Sequence, residues 1–105
     1  MPRARNIRPA FFDDSSLGRL DSDVRLLYLA LPVLADREGV LEYDIAMIKR
    51  HVFGYRDGMT EKDVEGFLNV LIALEGFLTS KDYKGKKYLI LLKIKEEQSF
   101  HHTEK

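Results

Sequence analysis

The side chains in this 105-residue chain that could do chemistry are mostly cations. Lys81, Lys84, Lys86 and Lys87 crowd the stretch around Gly85, and Arg3, Arg5 and Arg8 crowd the start. Lys49 and Arg50 make a smaller basic pair. Cations at this density raise the local potential and attract phosphate. Groups suited to covalent or acid–base chemistry are missing from useful places. The chain has no Cys, hence no disulfide, no thiolate metal site and no cysteine nucleophile. His51 sits beside Arg50, and His101-His102 are adjacent, with no third ligand at zinc-binding spacing. No Gly-rich phosphate loop, nucleophile–base pair or carboxylate dyad stands in a useful context. The expectation is a non-enzymatic protein with no cofactor and no metal.

The charge is neutral overall, 17 basic against 17 acidic residues, but unevenly placed. Residues 1–12 carry +3, residues 13–44 carry −5 and residues 45–58 carry +2. Residues 59–76 carry −3, residues 77–95 carry +5 and the last ten carry −2. The plain alternative for each cluster is solvated surface. For the late lysines a second alternative is protection of exposed strands from edge pairing.

These cations must be held by a small scaffold. The length fits one domain, and 45% hydrophobic content argues against a disordered chain. No apolar run approaches the ~20 residues of a membrane span, and Met1 to Arg5 lacks a signal-peptide core. A cytoplasmic location and no membrane partner are expected. Residues 2–9 read as an extended arm, with Phe11-Phe12 docked on the core. A short helix starts near Asp13-Asp14-Ser15-Ser16. A longer, central helix begins at Asp21, with Val24, Leu27, Tyr28, Leu31, Leu34 and Ala35 at helical spacing. Pro32 predicts a kink or early end there, because it has no N–H to give the Tyr28 carbonyl. Val40 to Tyr43 suits a brief strand. Asp44 caps the next helix, with Ile45, Ile48 and Val52 inward and Lys49 and Arg50 outward. Thr60 caps another, ending at Gly76, with Val64, Phe67, Leu68, Leu71 and Leu74 on one stripe. Residues 77–80 and 87–95 then read as strands around a Gly85 turn. Tyr88, Ile90, Leu92 and Ile94 alternate with Leu89 and Leu91, so both strand faces are expected to be covered, by the arm or by a second copy.

This order describes an α+β, mainly helical domain: a winged helix-turn-helix with a C-terminal two-stranded wing. Residues 1–12 are the basic arm, 13–95 the domain and 96–105 a flexible polar tail. The arm could enter a minor groove or clamp phosphates; alternatively Arg3 and Arg5 are solvated while Asn6 and Arg8 tie it to the core. Residues 60–76 occupy the recognition-helix position. Lys62 and Asn69 face outward there beside Glu61 and Glu65, whose carboxylates repel phosphate. Asn69 could pair with adenine, but this helix reads as a poor major-groove reader. Lys49 and Arg50, with Arg56, could give backbone contacts. Tyr83, beside the turn, is the tyrosine best placed to stack on a base. Arg37-Glu38 reads as a structural turn.

Five blocks carry a family resemblance. Arg3-Ala4-Arg5-Asn6-Ile7-Arg8-Pro9-Ala10-Phe11-Phe12 resembles an R-A-R-N-I-K-P-G-F-F opening. Leu34-Ala35-Asp36-Arg37-Glu38-Gly39-Val40-Leu41-Glu42 resembles L-A-D-R-E-G-R-L-E. Ile48-Lys49 to Val52-Phe53-Gly54-Tyr55 resembles I-K…I-F-P-Y, and Gly85-Lys86-Lys87-Tyr88-Leu89-Ile90 resembles G-K-x-Y-I-x-I. Gln98 to His102 resembles H-Q-x-P-H without its proline and first His. All five patterns are those of the N-terminal winged-helix domain of phage replication proteins of the replisome-organiser or initiator kind, which this chain resembles. Ala10, Pro32 and Gly54 depart from that pattern. The resemblance implies binding of duplex origin DNA. It also implies recruitment of a helicase or helicase loader by a region that would follow this one. The rival expectation is a protein–protein interaction module with little DNA affinity, and a homodimer fits either.

Overall fold

The computed structural model describes Arg5, Ile7 and residues 9–92. Arg3, Asn6, Arg8, Ile94 and the tail 96–105 lie outside the described residues. The elements are α1 (Pro9–Asp13), α2 (Ser15–Gly18), α3 (Ser22–Leu34), β1 (Val40–Glu42), α4 (Ile45–Phe53), α5 (Glu61–Ala73), β2 (Leu78–Tyr83) and β3 (Lys86–Leu91). The described residues form an α+β fold in which five helices pack with one three-stranded antiparallel sheet.

The expected order of elements is present, with an added short helix, α1, that begins at the last residue of the expected extended stretch and carries Phe11 and Phe12. Pro9 is the first residue of that turn, a position where its fixed φ suits a helix and its missing N–H costs nothing. Phe11 then docks: it is buried, with its ring stacked 6.0 Å from Tyr28. Phe12 does not dock and is 64% exposed.

Helix α3 supplies the middle of the core. Val24, Leu27, Tyr28 and Leu31 are buried against α4 and α5 and the inner face of the sheet. Each fully buried leucine of this set contributes roughly 1.5–3 kcal/mol. The helix passes Pro32 and ends two residues later at Leu34. Asp36 then builds the exit. Its Oδ1 accepts from the N–H groups of Glu38 (2.9 Å) and Val40 (3.0 Å), and Gly39 turns with φ 84°. The loop is therefore a structural turn, organised by Asp36 and Gly39.

The strand order is β1-β3-β2. Leu41 opposes Leu89, and Ser80 opposes Leu89 from the other side. That register puts Leu41, Leu78, Leu89 and Leu91 on the buried face. Val40, Tyr88 and Ile90 fall on the other face and are half-buried, while Leu92 beyond them is exposed. The expectation that both faces of the last strand are covered is not met among the described residues. Of the described arm residues, Arg5 bonds to the end of α3 and Phe11 stacks on Tyr28, both away from this face.

Candidate nucleic-acid interface

The hairpin displays the lysines. The sequence suggests a turn over residues 82–86; the structure closes it in two residues, with Tyr83 and Lys86 as the last pair. Lys84 and Gly85 both take positive φ, 51° and 81°, as a type I′ turn requires. For a lysine that conformation costs roughly 1 kcal/mol. The alternation then sorts the side chains. Lys81, Tyr83, Lys86 and Tyr88 share the outer face, and Asp82 and Lys87 share the inner one.

Lys87 is held against the scaffold. Its Nζ lies 4.3 Å from the centroid of the Tyr43 ring, and its carbonyl accepts from the Tyr43 N–H at 2.8 Å. Partial burial pushes the Tyr43 hydroxyl above its ordinary pKa, and the Glu65 carboxylate adds to the shift. Lys87 thus sits where the hairpin meets the segment between β1 and α4. All four lysines are exposed, and among the described residues none of them forms an ion pair with a carboxylate. Lys84 Nζ lies 5.3 Å from the Tyr83 ring centroid.

On the helices the cations are more scattered. Asp44 caps α4 by accepting from the Met47 N–H at 3.0 Å. Arg50 is exposed in its last turn, and Lys49 is half-buried. Thr60 and Asp63 form a reciprocal capping box at the start of α5, with bonds of 3.1 and 3.0 Å. The exposed side of α5 carries Lys62 and Asn69 together with Glu61 and Glu65, so its field toward a phosphate is not attractive. Arg56 has another task. Its two terminal nitrogens each donate at 2.8 Å to one oxygen of Asp23. That fork ties the α4–α5 loop to the first turn of α3. The same hydrogen bond holds the Asp23 carboxyl below its ordinary pKa.

Arg5 is the clearest revision. Its Nε donates to the Pro32 carbonyl at 2.8 Å and its Nη2 to the Asp36 carbonyl at 2.7 Å. Both acceptors lie at the end of α3, where carbonyls lack helical donors and the helix dipole favours a cation. The arm is therefore tied down by Arg5, with its guanidinium directed at the protein. Arg5 also stands far from the hairpin turn. Asp36 bonds to Val40, Val40 opposes Ile90, and Ile90 is roughly 17 Å along the strand from Gly85. The structure groups Lys81, Lys84 and Lys86 and does not add Arg5 to them.

Sequence reasoning missed three groups: Asp36, the Arg56–Asp23 fork and the Lys87–Tyr43 contact. Only Asp36 had a local signal, an Asp three residues before a Gly at a helix exit. Comparison with family models, with curated proteins and with solved structures found no match for this chain. Among the described residues no helix is long and apolar enough to cross a membrane.

Proposed function

We propose that the chain is a winged helix-turn-helix domain that binds duplex DNA, with β2 and β3 as the wing. The observation that supports this most directly is the hairpin: three exposed lysines without acidic partners, gathered at a two-residue turn. A wing of this kind lies over a phosphate backbone and contributes affinity without reading bases. The element order and the β1-β3-β2 sheet are compatible with a winged helix and support this reading. The resemblance to phage replication proteins supplies the biological setting, initiation of phage DNA replication in a host cytoplasm. In that setting a following region would recruit a helicase or its loader. Lys62 and Asn69 of α5 and Arg50 of α4 are secondary contacts, and Arg5 supports the arm.

The test is fluorescence anisotropy with a labelled random 30-mer duplex at two salt concentrations. Three neutralised phosphates give a slope of about −2.7 in log K against log salt, so tripling the salt weakens binding about 20-fold. Lys84→Glu with Lys86→Glu should remove most of the binding and flatten the slope. Binding that is salt-insensitive, or indifferent to this double change, overturns the reading. The acidic side of α5 favours the second reading, a protein-binding surface. In that case duplex DNA does not bind at low salt, and Glu61→Lys with Glu65→Lys abolishes capture of the protein partner.

A further inference from the structure

The outer face of the sheet has a feature that duplex binding by the wing does not use. Tyr83 and Tyr88 are diagonal neighbours on β2 and β3, and Lys86 and Lys81 fill the opposite corners of the same square. Diagonal neighbours on paired strands stand about 7–8 Å apart. Tyr83 is 57% exposed. Behind the two rings, Val40 and Ile90 floor an open concavity of about 280 Å³ that also involves Lys81. That is at the small end of ligand sites, which run from roughly 300 Å³ upward.

We infer that this face is a stacking site for single-stranded DNA. A flat aromatic ring on a sheet, an apolar floor and flanking ammonium groups are what an unpaired base and its phosphate require. Paired bases in a duplex hide their faces in the stack, so a duplex cannot use Tyr83 in this way. The diagonal spacing is about twice the ~3.4 Å rise of a stacked strand, so consecutive bases reach different rings only when the strand is unstacked and extended, as single-stranded DNA can be. Lys81, Lys84 and Lys86 then lie along the β2 side and the turn, where the phosphates would pass. Glu42 fixes the side: it opposes Tyr88 from β1, and its carboxylate keeps the backbone off that edge. Cross-strand tyrosine–lysine pairs also stabilise sheets. Half-exposed rings over an open apolar floor go beyond that need. The inference shares the lysines with the duplex reading and differs from it in Tyr83 and Tyr88, so replacing Tyr83 separates the two.

The experiment is anisotropy titration of the full chain with fluorescein-labelled dT15, with the random duplex and an rU15 strand in parallel. Wild type, Tyr83→Ala and Tyr83→Phe are compared. The exposed position of Tyr83 leaves the fold intact, which circular dichroism checks. Tyr83→Ala should weaken dT15 about tenfold, as loss of one stacked base does, and Tyr83→Phe should restore it. Duplex affinity should move less than about twofold, because the phosphate contacts that dominate it remain. Binding of dT15 without duplex binding supports the stacking site and removes the duplex reading. Failure to bind dT15 overturns the inference, as does a Tyr83→Ala variant with unchanged affinity or with equal losses on both DNAs. Tighter binding of rU15 overturns the assignment to DNA. A concentration-dependent dimer lost in Tyr83→Ala, with no dT15 bound, would make the face a contact between two copies and likewise overturn it.

Discussion

Arg5→Ala separates a structural arginine from a DNA-binding one. The change removes two donors from the carbonyls of Pro32 and Asp36, at 2.8 and 2.7 Å, and a positive charge from the end of α3. A hydrogen bond from a charged donor contributes about 1.5–3 kcal/mol when well shielded. The Asp36 contact is exposed and the Pro32 contact only partly buried, so about 1.5 kcal/mol for the pair is the appropriate discounted figure. For a domain near 100 residues that corresponds to a fall in Tm of about 6–12 °C. Arg5→Lys keeps the charge but loses the planar fork, and should recover less than half of the difference. The assay is thermal unfolding followed at 222 nm, with duplex affinity measured well below either Tm. The expected result is a clear loss of stability with duplex affinity within about twofold of wild type. An unchanged Tm together with a tenfold loss of duplex affinity would refute the reasoning, because the guanidinium would then have phosphate and not α3 as its main partner.

Two further outcomes follow from the same geometry. Lys84→Asn replaces a lysine held at φ 51° by the residue that a type I′ turn before Gly85 prefers. Urea unfolding should show a gain of about 0.5–1 kcal/mol while duplex affinity drops; a loss of stability would count against the turn assignment. Asp23→Asn tests the fork to Arg56. The hydrogen bond from Arg56 lowers the Asp23 carboxyl below its usual 3.8, so its stabilisation is present above that pH and disappears as the pH falls through the lower folded value. The variant should melt below wild type at pH 6 and together with it near pH 2. A gap that persists at pH 2 would show that the fork is not the cause.

Local grammar made much of this fold legible. The Thr60 cap, the Asp44 cap and the buried stripe of Val64, Leu68 and Leu71 follow from side-chain type and helical spacing alone. Pairings across the chain were not legible. Arg5 meets carbonyls 27 and 31 residues away, and nothing near it in sequence says so. The last strand shows why alternation is insufficient. Two apolar rows are visible in Tyr88-Leu89-Ile90-Leu91, but the partner strand decides which one is buried, and Leu41 opposite Leu89 settles it. The turn was drawn too wide because lysine is a poor candidate for positive φ, and the strand register overrode that preference. At the candidate site the lysine cluster was visible as composition. Its division into outward Lys81, Lys84 and Lys86 and inward Lys87 needed the register.

The central position of β3 also sets an order of folding. β2 and β3 are neighbours in sequence and can close their hairpin in microseconds. β1 is three residues long and pairs with β3 across both α4 and α5, so it joins only after those helices have brought it near. A β2–β3 hairpin not yet docked would leave Leu89 and Leu91 uncovered. A strand pair in that state is prone to join another molecule, and Lys81 and Lys86 oppose this by their charge. The same lysines that form the positive rim of the finished hairpin are thus the type and placement of residue that discourages edge pairing before it docks.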